Sequence, residues 1–332
     1  MNILVTGATG FLGNRIVQAL LLKGEVKNIL ATGRKINTYN KAILSPKVKY
    51  QLGDLTDKPF VQSLFQDSID IVINCASLSS PWGTYEAFYK ANCNTQSNLI
   101  ELSEQAKIKR FIYISSPSIY FDFKNSTAIN ETTPLPEKLV NNYAITKVEA
   151  EKMIADSDLE YVILRPRALV GAGDTVIMPR MIRSYEEGKL KIIGTGENEV
   201  DLTSVSNFVD AIWLAITTET SNCNTDYNIT NGKPVRLWDA INYMLEKLGY
   251  AKITKKMSAS ILYKIAYLME LKSKYITKKR EPVLTRYSVG ILANSVWFDI
   301  SKAKNKLRYI PKQSTLEAMD EFLEWHSKNN TK

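Results

Sequence analysis

Two residues in the middle of the chain have the types and spacing of a proton donor and its activator. Tyr143 and Lys147 stand four apart in the sequence NYAITK. Residues four apart on a helix share a face, so both side chains would point into one pocket. A free tyrosine has a pKa of ~10, which a neighbouring ammonium lowers by stabilising the phenolate. Taken alone, the pair also fits a helix start with a solvated lysine.

Three glycines near the start of the chain have the spacing of a phosphate-binding turn. The sequence TGATGFLG places Gly7, Gly10 and Gly13 between an apolar run and a helical pattern. Gly7 would permit the tight turn, Gly10 would let the backbone approach a pyrophosphate, and Gly13 would let the helix pack closely. The helix N-terminus would add N–H groups and partial positive charge. A dinucleotide site is predicted, and a turn without a ligand is the alternative.

The ends of the next two predicted strands bear on the choice of cofactor. An NAD-specific site would have an acidic residue after the second strand, but Arg34 and Lys35 stand there. The planar guanidinium of Arg34 suits a 2′-phosphate, which favours NADP(H) and leaves NADH open; a solvated loop arginine is the alternative. Asp54, after the third strand, would bind the adenine amino group, or Asp54 or Asp57 would cap a helix.

Segments typical of strands and helices alternate through the first half of the chain. Apolar runs predict strands at 2–6, 28–32, 48–52, 69–76, 110–115 and 161–165. Helical spacing predicts helices at 11–23, 86–107 and 143–155. This alternation favours a parallel sheet covered on both faces. The predicted fold class is α/β, a Rossmann-type doubly wound parallel sheet, with residues 1–166 as the NAD(P)-binding domain.

The pattern becomes less regular after Pro166. Glycines and prolines separate shorter segments, among which four helices are predicted, at 207–218, 237–248, 258–271 and 316–327. Residues 167–332 are expected to form a smaller substrate-binding region, some segments of which return to the main sheet. No apolar run approaches the ~18 residues that would span a bilayer.

Composition and charge disfavour several classes of protein. The 332 residues are 45% hydrophobic and 23% charged, as in folded globular proteins. Cys75, Cys93 and Cys223 lack metal-ligand spacing, so no metal site is predicted and reduced thiols in a cytoplasmic protein are expected. The only histidine, His326, lies near the C-terminus, which disfavours histidine-centred chemistry. The net charge of +9 accompanies no nucleic-acid motif, so no nucleic-acid partner is expected.

Six sequence motifs occur in an order that resembles one family. TGATGFLG, GDLTD, NCAS, SSPSIY, YAITK and RPRALVGAGD are similar to the motifs of extended short-chain dehydrogenases/reductases, over nearly the whole chain. The C-terminal PVLTRYSVGILANSVWFDISKAKNKLRYIP and SPWG are most similar to the 3β-hydroxysteroid dehydrogenase branch, which includes bacterial 2-alkyl-3-oxoalkanoate reductases. Cys75 and Ser77 in NCAS depart from the residues of many relatives.

The resemblance implies a role for each motif. The catalytic residues would be Ser116, Tyr143 and Lys147. Together, the residues themselves and the resemblance predict the following cofactor contacts: Gly7, Thr9, Gly10, Phe11, Leu12, Gly13, Arg34, Lys35, Asp54, Leu55, Cys75, Ala76, Ser77, Tyr143, Lys147 and Pro166.

These roles predict an NADP(H)-dependent oxidoreductase. The nicotinamide would give hydride to a ketone carbon, Tyr143 would give the proton, and Ser116 would stabilise the oxyanion; the reverse reaction would oxidise a secondary alcohol. The expected substrate is hydrophobic, a 3-oxo or 3-hydroxy acyl compound or a sterol-like molecule. A nucleotide-sugar epimerase or dehydratase with bound NAD is the alternative. A cofactor-sensing binding protein is disfavoured because such proteins typically lose the tyrosine and lysine.

The segment 258–280 has three interpretations. Its apolar residues are followed by five basic residues, Lys272, Lys274, Lys278, Lys279 and Arg280. The segment would form a hydrophobic lid over the substrate, or a core helix followed by a solvated basic turn. The third interpretation is a peripheral membrane contact, with the basic residues against anionic lipid. A homodimer is also expected, because dimers through the helices that flank the sheet are common in the resembled family.

Overall fold

The computed structural model describes residues 1–276 and 280–330. Its strands are β1 (Asn2–Thr6), β2 (Asn28–Gly33), β3 (Val48–Leu52), β4 (Ile71–Asn74), β5 (Arg110–Ile114), β6 (Ser126–Ile129), β7 (Tyr161–Pro166), β8 (Leu169–Val170), β9 (Ile192–Ile193), β10 (Glu199–Val200), β11 (Thr203–Ser204), β12 (Thr225–Ile229), β13 (Val235–Arg236), β14 (Lys256–Met257) and β15 (Val296–Phe298). Its α-helices are α1 (Phe11–Leu21), α2 (Lys58–Leu64), α3 (Tyr85–Phe88), α4 (Thr95–Gln105), α5 (Asn142–Ala155), α6 (Ile177–Glu186), α7 (Val205–Thr217), α8 (Leu237–Lys247), α9 (Ala259–Tyr275), α10 (Arg286–Ala293), α11 (Ser301–Lys306) and α12 (Thr315–Asn330).

Seven parallel strands form the main sheet, in the order β12–β7–β5–β4–β1–β2–β3. The order reverses between β1 and β4, because β1 to β3 run towards one edge and β4 onwards run towards the other. β4 and β5 are buried at every position, as expected for strands covered on both faces. The predicted doubly wound α/β fold is therefore confirmed. In such sheets ligands bind at the carboxyl ends of the strands, where the order reverses.

Helices cover both faces of this sheet and bury two separate cores. One face packs against α1, α7 and α11, with Ile16 and Phe208 among its buried residues. The other face packs against α2, α4 and α5, with Val61, Leu99 and Ile154 among its buried residues. Burial on both faces fixes the strand ends, and with them the loops that carry the predicted site.

The chain after β7 builds a further core and also contributes to the main sheet. Helices α6, α8, α9, α10 and α12 pack around Trp238, Met244 and Phe322. β12 pairs with β7 at the edge of the main sheet, and α7 covers one face of that sheet. Conversely, β6 from the first half pairs with β15 near the C-terminus. The spatial units are thus interleaved in sequence, and a domain boundary at residue 166 stays a prediction.

One predicted helix differs in detail from the structure. The helical pattern at 86–107 corresponds to α3 and α4, joined by a π-helical turn at Tyr89–Asn94. Hydrophobic spacing did not indicate this turn because the chain stays helical on both sides of it. A helix long and apolar enough to cross a bilayer is not found in residues 1–276 or 280–330.

Candidate active site

The glycine turn joins β1 to α1 where the strand order reverses. Gly7 has a φ of +65°, and a Cβ there would lie 3.0 Å from backbone atoms of Cys75 and Ala76. A Cβ on Gly13 would lie only 2.2 Å from the Gly7 carbonyl oxygen. Glycine at both positions is therefore required by the backbone geometry of the turn itself.

Gly10 differs in degree, because a Cβ there would make one tight contact instead of overlapping the backbone. A Cβ on Gly10 would meet one neighbour within 4 Å, the Gly7 carbonyl oxygen at 3.3 Å. Gly10 is also the N-cap of α1 and offers no side-chain cap to the first N–H groups of that helix. A pyrophosphate approaching over Gly10 would use the open space and accept from those N–H groups. The turn therefore fits a dinucleotide cofactor.

The end of β2 lies beside the glycine turn. A Cβ on Gly33 would lie 2.3 Å from Thr9 Oγ1, so strand and turn are in direct contact. Arg34 and Lys35 follow Gly33 and are both exposed. Their positions at the rim of the turn are compatible with the predicted contact to a 2′-phosphate.

The loop after β3 lies on the same rim. Asp54 Oδ1 accepts from the Thr56 N–H at 2.9 Å, and this bond is the main reason that the pKa of Asp54 is lowered. The positive charge of Arg34 contributes to the same lowering. Leu55 is buried beneath the loop. Asp57 stands at the N-cap of α2 but makes no side-chain capping bond.

The NCAS loop after β4 packs against the glycine turn. Cys75 Sγ donates to a backbone carbonyl of β1 at 2.6 Å, and burial raises the pKa of this thiol to about 12. The Ala76 N–H donates to Asn74 Oδ1 at 3.2 Å, and the Ser77 hydroxyl donates to Asn92 Oδ1 at 3.1 Å. Cys75 is thus a packed thiol rather than a reactive thiolate.

Asn92 is a site residue that the sequence predictions missed. It lies in the π-helical turn, where its Oδ1 also accepts from the Leu78 N–H at 2.8 Å and its Nδ2 donates to Thr146 Oγ1 at 3.1 Å. One amide therefore ties the NCAS loop to α5, directly before Lys147. π-Helical turns occur often at functional sites. The signal available in the sequence was the polar run NCNTQSN inside an otherwise ordinary helix.

Helix α5 brings Tyr143 and Lys147 together. The helix begins after Asn141, whose side chain caps it by accepting from the Ala144 N–H at 2.9 Å. Lys147 is only 2% exposed, and its Nζ lies 5.9 Å from the centre of the Tyr143 ring. The same Nζ donates to the Ile114 carbonyl at 2.8 Å. Burial lowers the pKa of Lys147 to about 8.

The pKa of Tyr143 moves opposite to the direction expected from the sequence. Burial raises it above its ordinary value, and the nearby hydroxyls of Ser116, Ser79 and Ser77 oppose this rise without outweighing it. The expected lowering by Lys147 is wrong for this structure, because removing the phenolate from water is the larger effect. An ordinary phenol is already protonated at neutral pH, so the raised pKa leaves the proton-donating form in place.

Ser116 lies beside Tyr143 at the end of β5. Its hydroxyl accepts from the Ser118 N–H at 3.2 Å, which caps a short 3₁₀ turn. Since Ile114 pairs with Leu164, the chains leaving β5 and β7 place Ser116 and Pro166 side by side at the carboxyl edge of the sheet. The structure thus groups the predicted catalytic residues on one edge, next to the glycine turn and NCAS.

An aromatic wall leads away from Tyr143 towards α9. Tyr287, on α10, is close enough to contribute to the raised pKa of Tyr143. Its ring lies 5.9 Å from that of Phe121, which lies 5.4 Å from that of Phe123, and Phe123 in turn lies 6.0 Å from Tyr263 on α9. Sequence reasoning missed this wall because its members come from three separate segments. Phe121 is buried in a hydrophobic core, against which Tyr287 packs.

Comparisons with known proteins agree with this arrangement. The chain matches the model of the NAD dependent epimerase/dehydratase family over residues 3–230. It is 31% identical to a 2-alkyl-3-oxoalkanoate reductase from Shewanella oneidensis, over 95% of this chain and 84% of that protein. It is 32% identical to 3beta-hydroxysteroid-dehydrogenase/decarboxylase isoform 1 from Arabidopsis thaliana, over 99% and 81%. The solved structure of UDP-glucuronic acid 4-epimerase from Bacillus cereus in complex with NAD covers 100% of both chains with a TM-score of 0.77, and its 22% identity shows the fold alone.

Proposed function

Because the chain belongs to the NAD-dependent epimerase/dehydratase family, we propose that it interconverts a ketone and a secondary alcohol on a hydrophobic substrate, with NADP(H) as cofactor. The family resemblance and the predicted enzyme class are confirmed: the chain is an NAD(P)-dependent enzyme of the short-chain dehydrogenase/reductase type. The observation that carries the proposed reaction is the buried Lys147 beside the Tyr143 ring, next to Ser116 at the carboxyl edge of the sheet.

The three catalytic residues have separate roles in this reaction. The bound nicotinamide would supply or accept the hydride. Tyr143, which is protonated at neutral pH, donates its proton to the substrate oxygen. The Ser116 hydroxyl stabilises the same oxygen as negative charge develops on it. The Lys147 ammonium then stabilises the phenolate that Tyr143 becomes.

The proposed cofactor contacts lie in the glycine turn and in the loops after β2, β3 and β4. The backbone of the glycine turn would hold the pyrophosphate, and the NCAS loop and Pro166 would line the nicotinamide end. Asp54 and Leu55 would face the adenine. Exposed Arg34 and Lys35, beside the turn, support a preference for the 2′-phosphate of NADP(H).

The cofactor preference is tested at Arg34. We expect Arg34→Asp to change the NADPH-to-NADH ratio of kcat/KM by about 100-fold towards NADH, since the variant loses a charge-assisted bond and gains a repulsive charge. Lys27→Asp is a control for the change in net charge, because Lys27 is exposed before β2. An unchanged ratio in Arg34→Asp would contradict the assignment.

The aromatic wall and the relatives support a hydrophobic 3-oxo or 3-hydroxy substrate. The test is a screen for NADPH oxidation over long-chain 3-oxoacids, their thioesters and 3-ketosteroids. We expect turnover with at least one of these classes. The contrary result is NAD that is released only on denaturation, together with turnover of a nucleotide sugar, which would establish the epimerase alternative.

A second proposal concerns α9, which we infer makes a peripheral membrane contact. Its buried positions are Leu262, Ala266, Glu270 and Ser273. Five of its larger apolar side chains are exposed instead, namely Ile261, Ile265, Tyr267, Leu268 and Tyr275. Exposed basic residues lie on or after the same helix: Lys264, Lys272, Lys274 and Arg280. Lys278 and Lys279, part of the predicted basic cluster, lie outside the described residues. An apolar face with a basic flank favours anionic lipid.

Vesicle co-sedimentation tests this contact. We expect the wild type to bind phosphatidylserine-containing vesicles and Leu268→Asp to lose binding, because Leu268 is 63% exposed on α9. Leu44→Asp is the matched control, since Leu44 is 96% exposed elsewhere on the molecule. Failure of the wild type to bind, or equal loss in both variants, removes the proposal.

The proposed homodimer is tested by the mass of the protein in solution. Light scattering coupled to gel filtration is expected to give twice the mass of one chain. A single-chain mass at micromolar concentration would contradict it.

A further inference from the structure

Tyr113 on β5 contacts the proposed catalytic lysine directly. Alternate side chains of a strand face opposite sides of its sheet, and Phe111 and Tyr113 belong to the core that α2, α4 and α5 cover. The Tyr113 hydroxyl accepts from Lys147 Nζ at 3.3 Å, and the same Nζ lies 4.8 Å from the centre of the Tyr113 ring. Tyr113 therefore meets the ammonium with both its hydroxyl and its ring.

The hydrogen bonds of Lys147 fix the direction of its ammonium. An ammonium has three N–H groups, of which one donates to the Ile114 carbonyl at 2.8 Å and one to the Tyr113 hydroxyl. Both acceptors belong to β5, so one strand orients the group. In the part of the chain that the structure describes, these two bonds leave one N–H for the oxygen of Tyr143, whose ring centre lies 5.9 Å from Nζ.

Three other titratable groups near Lys147 carry no charge at neutral pH. Burial raises the pKa of the Cys75 and Cys93 thiols to about 12, and it also raises the pKa of Tyr143. Cys75 Sγ donates to a backbone carbonyl of β1, and Cys93 Sγ donates to one of α5. Neither thiol therefore replaces Tyr113 as a partner of the ammonium.

Glu151 supplies a negative charge one helical turn after Lys147. This charge favours the ammonium and opposes part of the effect of burial. Its two carboxylate oxygens, however, accept from Arg165 on β7, from Nε at 2.8 Å and from Nη2 at 2.5 Å. Glu151 thus acts on Lys147 through its field, whereas Tyr113 acts through a hydrogen bond.

The Tyr113 hydroxyl stabilises the charged form of Lys147. Burial raises the pKa of Tyr113 well above its ordinary value, so Tyr113 stays a neutral phenol. A hydrogen bond accepted from an ammonium favours that ammonium over the neutral amine. Burial acts in the other direction and lowers the pKa of Lys147 to about 8. Without the hydroxyl, Lys147 would lose its proton at a lower pH.

We propose that Tyr113 is a positioning residue that keeps the Lys147 ammonium charged and directed at Tyr143. This role rests on the proposed function and adds a fourth residue to the three that it names. The hydroxyl carries the role, because the ring alone attracts a cation without directing one of its N–H groups. Tyr113→Phe removes the hydroxyl and keeps the ring.

The pH dependence of kcat tests the proposal, with a ketone of the screen that the wild type reduces. In Tyr113→Phe we expect the alkaline limb of the profile to move down by about one pH unit. The kcat should then fall about 10-fold near pH 9 and less than about twofold near pH 6, because the ammonium is the active form.

Tyr227→Phe is the matched control. Tyr227 is a fully buried tyrosine on β12, its hydroxyl donates to the Asn222 carbonyl at 2.7 Å, and Lys302 Nζ lies 5.1 Å from the centre of its ring. The control therefore removes a bonded hydroxyl from a similar setting that does not include Lys147. Its pH profile should match that of the wild type.

Two results would overturn the role of Tyr113 and leave the proposed function standing. One is an unchanged alkaline limb in Tyr113→Phe, and the other is an equal fall of kcat at every pH, which a merely structural residue would give. A wild type that reduces no ketone of the screen contradicts the proposed function instead.

Urea unfolding then decides on Tyr113 without any activity. Since the hydroxyl stabilises the ammonium, Tyr113→Phe should lose more unfolding free energy near pH 6 than near pH 9, whereas Tyr227→Phe should lose the same at both. An equal loss at the two pH values in Tyr113→Phe contradicts the proposal.

Discussion

The cofactor side and the substrate side of the cleft are built in opposite ways. On the cofactor side, the glycine turn and the loops after β2, β3 and β4 are short stretches of consecutive residues, each fixed by its own strand end. On the proposed substrate side, Tyr287, Phe123 and Tyr263 come from three separate segments that only tertiary packing brings together. The difference teaches that the proposed cofactor site depends on local backbone geometry, whereas the proposed substrate site depends on side chains from distant parts of the sequence.

The largest expected effect is on the cofactor side, at Gly13. Gly13→Ala places a Cβ 2.2 Å from a backbone oxygen, so we expect a loss of stability of about 3 kcal/mol or more. Gly10→Ala is the matched variant, because its Cβ meets only one atom, at 3.3 Å. It should lose much less stability than Gly13→Ala, and it should lose NADPH affinity. Thermal unfolding measures the stability and fluorescence titration measures the NADPH affinity. A Gly13→Ala protein as stable as the wild type would contradict the prediction.

A comparable effect that depends on pH is expected at Lys147, where the two sides meet. Its pKa is lowered from 10.5 to about 8 in the folded chain. Between these pH values the unfolded chain binds more protons, so the free energy of unfolding rises with pH. Relative to Lys147→Met, the wild type should gain on the order of 3 kcal/mol between pH 8 and 10.5.

Urea unfolding of both proteins at several pH values measures this difference. At pH 7 the inactive Lys147→Met protein should be at least as stable as the wild type, because it no longer buries a charge. Parallel pH dependence of the two unfolding free energies would show that Lys147 is not desolvated as described.

The smallest expected effect is on the substrate side, at Gly290. A Cβ there would lie 2.8 Å from Phe121 Cζ and from the Tyr263 hydroxyl, both at the ends of side chains that can shift. Gly290→Ala should therefore change stability by only about 1 kcal/mol, since better helix propensity offsets the crowding. The KM for a hydrophobic substrate should rise several-fold while NADPH affinity stays unchanged. If KM for the substrate and the NADPH dissociation constant changed by the same factor, the variant would not separate the substrate side from the cofactor side.

Sequence patterns were sufficient to predict the features that depend on residues close together in the chain. The doubly wound fold follows from the alternation of strands and helices, and the glycine turn follows from three consecutive signals: strand, glycines and helix. The direction of the Tyr143 pKa did not follow, because the sequence shows the neighbouring ammonium but not the burial. Asn92 was missed because the polar run NCNTQSN does not by itself show a π-helical turn or which loop and helix the amide connects.

Helix α9 shows the same limit on the substrate side. Its apolar residues fit a core helix, a lid or a membrane contact, and in the structure Leu262 and Tyr263 pack against the protein while Leu268 is exposed. Which face of an apolar helix packs depends on its partner helix, here α10. The spacing of apolar residues within α9 does not predict that partner.

The most direct test of the central claim is the turnover of Tyr143→Phe measured together with its affinity for NADPH. Since Tyr143 is the proposed proton donor and the glycine turn is the proposed pyrophosphate site, ketone reduction should fall about 1000-fold while the NADPH dissociation constant stays within a factor of about three. Near-normal reduction by this variant would contradict the account, because the proton would then come from another group.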